Sequence, residues 1–436
     1  MAYELELEWW RPQEAEAETL RAMEAADAGE ARLPFWSLMA FTGVLLFSPQ
    51  NYFPVLQPLR PALLIIAIGL FAYVGERWAR GLPVIRWTRE IGLIVGLAGL
   101  AAMTVPFAIW PGGSLGALSE YVKTAAVFLL LSHVITTQNR LRRAAWLLTF
   151  MAMGLGLFAL YNFATGAFID KGVNQDRLIG NEAALTKNPN DLALMVNLLL
   201  PLTVGLFLSS TWSWQRGFLF FAICMEVGTV ILTYSRGGAL TLAVIVLVYL
   251  WKLRRRAERS LLYVVLFAGL LAVPLLPSSY FERMSTITSM SSDKTGSSQE
   301  RFSDFLIAAK TILADPVVGA GMGMNILAMR EARGEWRQVH NVYLEHAIDL
   351  GLPGLAIFLA LLMCSIQSVA RIQRLGVSPE LSSLAEGIQI GLIAYAVAAM
   401  FHPVSYHYYF YYIAGLALAA KAIADTQIGL RSEATT

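Results

Sequence analysis

From Phe218 to Leu250 the chain runs 33 residues with only two charged side chains, Glu226 and Arg236. A bilayer crossing takes about 20 helical residues. This run is therefore too long for one span and reads as two joined by a turn, with Gly237 and Gly238 beside Arg236 marking the hairpin. Comparable apolar blocks recur along the chain. Twelve segments qualify, at roughly 34–49, 61–78, 90–109, 119–136, 144–164, 189–209, 217–233, 237–251, 260–277, 352–370, 383–400 and 405–424. With 56% hydrophobic and only 15% charged residues, the expected fold is an all-α polytopic membrane protein of about 12 transmembrane helices.

Lysine and arginine orient these spans. With the N-terminus inside, the inner loops hold Arg77, Arg80, Arg86, Arg89, Arg140, Arg142, Arg143, Arg216, Lys252, Arg254, Arg255, Arg256, Arg259, Arg371 and Arg374. The short outer loops hold Arg60, Lys171, Arg177, Lys187 and Arg236, so the count is fifteen against five. Both termini are then cytoplasmic. Residues 1–32 form an acidic tail, with nine carboxylates and no apolar core that would make a signal peptide. ELELEWW and AEAETLRAMEAA could be short helical pieces of that tail. Spans 1–9 occupy 33–277, a periplasmic loop 278–350, spans 10–12 351–424, and a cytoplasmic tail 425–436.

The 278–350 loop is far longer than the other connections, and long loops usually carry function. Within it SSQERFSDFLIAAKTILADP reads as an amphipathic helix. Ser297 and Glu300 make a capping box, and Phe302, Phe305, Leu306, Ala309 and Leu313 share one face. Asp315-Pro316 ends the helix. The glycine-rich GAGMGMN follows, and HNVYLEHAIDLGLPG leads into span 10.

Other chemistries find little purchase. The sequence has no P-loop, no dinucleotide-binding glycine motif and no H-E-x-x-H. A net charge of +2 gives no reason to expect nucleic acid. Cys224 and Cys364 lie in apolar runs, and neither suggests a disulfide or a metal site. His340 and His346 are six residues apart, which does not place both on one helical face, so no metal is expected.

The topology instead gathers cations on the outer face. An arginine at the bilayer centre costs roughly 3 kcal/mol on insertion scales. At a hairpin tip Arg236 could snorkel to lipid headgroups. It could equally bind a diphosphate, since guanidinium matches phosphate oxygens bidentately. Ser235 and the two glycines favour the second reading, because glycines admit close approach and their N–H groups can face an anion. Arg177 sits in the polar loop DRLIGNEAALTKNPND, whose NPND places Asn190 or Asp191 near a helix cap. Arg301 lies near the start of the amphipathic helix. His340, just above the membrane, is a candidate general base or a helix-start hydrogen-bonding residue. HPVSYHYYFYY, with His402 and His407, reads first as an aromatic belt and second as a sugar-stacking surface. Lys123 reads as an interfacial anchor. Glu226, in mid-span, is protonated or paired inside the bundle.

Three ordered stretches carry a family resemblance: RLIGN…NPNDLALMVNLLLPL from Arg177, LTYSRGGALTL around Arg236, and RFSDFLIAAKTILADPVVGAGMGMN…HNVYLEHAIDLGLPGL from Arg301 through His340. In these the sequence resembles the bacterial O-antigen ligase and O-antigen polymerase superfamily of membrane glycan transferases. The resemblance implies a metal-independent transfer at the periplasmic face of the inner membrane, with no cofactor. Its donor would be a glycan on undecaprenyl diphosphate. The residues matching Arg177 and Arg236 would hold the diphosphate and that matching His340 would activate the acceptor hydroxyl, while Arg301 matches a recurrent arginine of unassigned role. The acceptor is a second lipid-linked repeat in a polymerase and the lipid A core in a ligase. The NPND-type loop leans toward polymerase. Oligosaccharide transfer to protein is a further option, and a lipid-linked oligosaccharide transporter is the rival from another class.

Overall fold

The structure is a computed structural model. It describes residues 32–166, 168–169, 177–178, 185–186, 188–254, 274, 278–285, 297–336 and 338–435. In chain order the helices are α1 (Arg32–Phe47), α2 (Pro61–Ala79), α3 (Arg89–Thr104), α4 (Pro111–Val134), α5 (Gln138–Ala164), α6 (Pro189–Ser209), α7 (Ser213–Leu232) and α8 (Arg236–Leu253). They continue as α9 (Ser278–Ser285), α10 (Ser297–Ala314), α11 (Asn325–Arg333), α12 (Val342–Ile372), α13 (Pro379–Ala398) and α14 (Tyr408–Thr435). Between α5 and α6 two short strands pair antiparallel, β1 (Phe168–Ile169) with β2 (Arg177–Leu178).

Ten of the described helices are long and apolar enough to cross a membrane. The segment expected as span 1 is the 16-residue α1, apolar but short. The segment expected as span 9, 260–277, falls almost wholly outside the described residues, as does the acidic tail. The expected C-terminal tail begins inside α14, which continues without a break to Thr435.

Burial varies sharply among these helices. In the apolar stretch of α6, 78% of residues are buried, against 17% in α2. The large side chains α2 exposes, among them Leu64, Phe71 and Trp78, are what a helix shows when its solvent is hydrocarbon. α6 and α13 form the central pair, and small residues set how closely they approach. A Cβ on Gly387 would stand 2.4 Å from the Pro201 carbonyl oxygen, and one on Gly205 2.8 Å from that of Ser383. Only glycine lets the two backbones meet there. Glu226 is buried beside this seam. It accepts a hydrogen bond from the Thr203 hydroxyl at 2.8 Å, which in turn lies 3.0 Å from that of Thr149. Lys123 pairs with Glu120 at 2.6 Å on an exposed surface.

α12 is kinked at Leu350–Gly351. Leu350 leaves helical geometry, and Gly351 takes φ 65°, ψ −172°, a region nearly closed to side chains. The GAGMGMN turn is fastened to this bend. Ala320 N–H donates to the Ile348 carbonyl and Gly321 N–H to the Asp349 carbonyl, both at 2.8 Å. The Asp349 carboxylate accepts from the N–H groups of Gly323 at 2.9 Å and Asn325 at 2.6 Å. Because of this stitching, 342–350 is not loop but the upper part of a 31-residue helix.

Candidate functional site

The hairpin around Arg236 differs in one respect from expectation. α7 ends at Leu232, and the residue with left-handed backbone is Tyr234 at φ 51°, not either glycine. Both glycines lie in the first turn of α8. There a Cβ on Gly238 would stand 2.7 Å from the Ala193 Cβ of α6, and one on Gly237 3.1 Å from the Phe401 Cβ. Their smallness admits neighbouring protein first. Ser235 caps α8 by accepting from Gly238 N–H at 3.1 Å, and its hydroxyl donates to Asn190 Oδ1 at 2.9 Å. Arg236 thus occupies the first position of a capped helix, where the dipole is positive.

α6 starts at the NPND sequence, as expected. Asn188 is the cap, its side chain accepting from Asn190 N–H at 2.9 Å, so Asn190 and Asp191 belong to the first turn.

His340 precedes Asn341, the cap of α12, whose Oδ1 accepts from the N–H groups of Tyr343 at 2.9 Å and Leu344 at 3.1 Å. The His340 Nδ1 lies 3.0 Å from the Gln338 carbonyl. A carbonyl can only accept, so the neutral ring donates from Nδ1 and carries its lone pair on Nε2. Gln338 is held in turn: its amide donates to Glu345 at 3.3 Å, and Glu345 accepts from the Ser405 hydroxyl at 2.5 Å and N–H at 3.2 Å.

Two cavities meet at this histidine. One, of about 300 Å³, is lined by Arg236, Gly237, Leu240, Arg301, Phe302, Asp304, Phe305, Met400 and others. The second, of about 280 Å³, is lined by Asn188, Asn190, Asp191, Gln338, His402, His407 and Tyr409, among others. His340 and Phe401 line both. The first is mostly apolar with two arginines, and the second is polar.

α10 brings Arg301 to the first cavity, but its apolar stripe turns outward. Phe302, Phe305, Leu306 and Leu313 are exposed, while Asp304 and Ala308 are buried. A helix lying on a bilayer interface presents such a face to acyl chains. Asp304 pairs with Arg333 and so ties α10 to α11. The Ser297 side chain of the expected capping box lies outside the described residues.

Arg177 lies in β2, its backbone paired with Ile169. Its side chain is outside those described, as are Lys171 and Lys187. The structure thus brings Arg236, Arg301 and His340 together, and describes only the backbone of Arg177. His346 is elsewhere, fully buried, stacked on Phe358 with ring centroids 4.3 Å apart.

Sequence reasoning did not single out Gln338 or Glu345, and it left His402 without a role. His402 is buried, with Nδ1 2.9 Å from the Ala398 carbonyl and Nε2 3.1 Å from that of Asn190. Burial pulls its imidazole below the ordinary histidine range; the two carbonyl contacts oppose that fall, and electrostatic interaction with nearby Arg301 and His340 adds to it. The adjoining HPVSYH motif was the only signal that could have located it.

Residues 218–359 match the family model described as O-antigen ligase. The match spans Arg236, Arg301 and His340. No curated protein matches the chain. One solved structure, described as "Structural coordination of polymerization and crosslinking by a peptidoglycan synthase complex", aligns at 16% identity with a TM-score of 0.41. That alignment covers 79% of this chain and 99% of the other, and at this level of similarity it carries no weight for fold or function.

Proposed function

We propose that this multi-pass protein, whose residues 218–359 match the O-antigen ligase family model, transfers a glycan from undecaprenyl diphosphate to an acceptor sugar hydroxyl. One observation carries the reading. His340, its tautomer set by Gln338, stands in the wall between an arginine-bearing cavity and a polar one.

In this mechanism the diphosphate lies against Arg236 and Arg301, with Arg177 a third candidate for the same anion. The polyprenyl chain runs out past Phe302 and Phe305 to the bilayer. The acceptor hydroxyl attacks the anomeric carbon while its proton passes to His340 Nε2. The anomeric C–O bond breaks and its electron pair leaves on the diphosphate, whose charge the arginines stabilise without a metal. A single displacement inverts the anomeric configuration. By the lysine and arginine count this face lies opposite the cytoplasm, and the family resemblance implies that it is the periplasmic face of the bacterial inner membrane. The NPND-type loop favours the polymerase reaction over ligation to the lipid A core.

Reconstitution with an undecaprenyl-diphosphate glycan tests this. Offered a second lipid-linked repeat or a lipid A core, the protein should build a ladder on the lipid carrier. Transfer to core alone would make it a ligase. No transfer to any acceptor, with the donor instead moved across vesicles, would replace the mechanism with transport.

A further inference from the structure

A second anion-compatible cavity lies far from His340. α6 begins at the polar cavity (Asn188, Asn190, Asp191) and ends at this groove (Leu206, Ser209, Ser210). α13 runs the other way, from Glu380 at the groove toward Phe401 and His402 at the site. Twenty-one helical residues span about 30 Å, so the groove opens at the opposite end of the bundle. Its volume is about 750 Å³.

Its lining changes character along α5. Arg142 and Arg143, both exposed, lie near the start of α5, and Trp146, Leu147 and the half-exposed Phe150 follow one and two turns further along it. Eight residues from Arg142 to Phe150 span about 12 Å. Met39 of α1 and Leu206 of α6 complete the apolar part. Arg142 is held by Asn139 at 2.7 Å and by Glu380 at 3.6 Å. Arg143 is exposed and, among the described residues, makes no hydrogen bond or ion pair. The first turn of α7, which also lines the groove, has no side-chain cap.

We infer that this groove binds one anionic phospholipid of the cytoplasmic leaflet. The phosphate meets Arg143 and Arg142 at the rim, and an acyl chain descends over Trp146, Phe150 and Met39. A cationic rim above an apolar slot, between transmembrane helices on the arginine-rich side, complements a lipid head and tail. The acidic residues 1–31, which also carry Leu5, Leu7, Trp9 and Trp10, are the competing occupant that the test separates. The inference stands independently of glycan transfer.

The test titrates the delipidated full-length protein with phosphatidylglycerol and with phosphatidylcholine, read by native mass spectrometry. One phosphatidylglycerol should bind about tenfold more tightly than phosphatidylcholine. Arg142→Gln with Arg143→Gln should erase the preference, and His340→Ala should leave it intact. Met39→Trp, which fills the slot and keeps the arginines, should also abolish retention. Inorganic phosphate at the same concentration should not compete. Equal affinity for the two lipids, an unchanged preference in the arginine variant, or competition by free phosphate or by a peptide of residues 1–31 would overturn the proposal.

Discussion

Arg236 and Arg301 at one end of the bundle, and Arg142 and Arg143 at the other, are the same side chains in different company. The first pair shares a cavity with a histidine whose tautomer is set by a backbone carbonyl, and a second, polar cavity opens behind that histidine. The second pair stands over an apolar slot beside Glu380, which is paired with Arg142, and no histidine lines that groove. Arginine alone gives anion affinity. The proposed transfer also requires a proton acceptor for the attacking hydroxyl, the role we assign to His340 at one end.

The comparison can be broken most directly at the histidine. His340→Ala should lower glycan transfer about 10²–10⁴-fold with insertion and folding unchanged, measured by ladder formation in proteoliposomes. Transfer at the parent rate would dissolve the distinction between the two ends. Next come the arginines. Arg236→Ala should cost about 10²–10³-fold, and Arg236→Lys should recover part of it, because lysine keeps the charge but not the fork. Arg143→Gln should leave transfer in detergent within the scatter of the assay, and a loss matching that of Arg236→Ala would make the two cavities equivalent.

The seam between the two ends is a stability test. Gly387→Val drives a side chain into the Pro201 carbonyl and should cost about 1–3 kcal/mol, seen as a lower melting temperature without a change in the ratio of transfer to folded protein. The smallest effect concerns pH. His402 has a folded value below its unfolded one. The unfolded chain therefore takes up a proton first, and stability present above the ordinary histidine range is lost as pH falls through it. His402→Asn should flatten the acid limb of the melting temperature profile, and an unchanged limb would remove His402 as its cause.

Much of this frame could be read from the chain. Alternation of apolar blocks with arginine-rich loops located ten spanning helices, because hydrocarbon demands both length and backbone satisfaction, but it missed polar end turns such as Pro111–Leu118, Gln138–Arg143 and Val342–Gly351. The bend of α12 at Gly351 was not read from the chain, although Gly351 and Pro353 stand at it. What escaped was whatever depends on partners distant in sequence. Glu345 finds Ser405 sixty residues away, and no local pattern marks that bond. Gly237 and Gly238 were visible as glycines, but their neighbours Phe401 and Ala193 were not, so space for protein looked like space for a ligand. The stripe of α10 was legible as a stripe, but periodicity is blind to whether its solvent is protein or lipid.

The close contact of α6 with α13 has a consequence for the membrane as an insulator. Each end of the bundle holds a cavity open to its surroundings, and two such cavities joined through the middle would form a conduit for protons and ions. At Gly205 and Gly387 the backbones leave no room for a methyl group, and so none for a file of water. At this helix pair the polar cavity at one end and the groove at the other are kept apart by backbone packed against backbone.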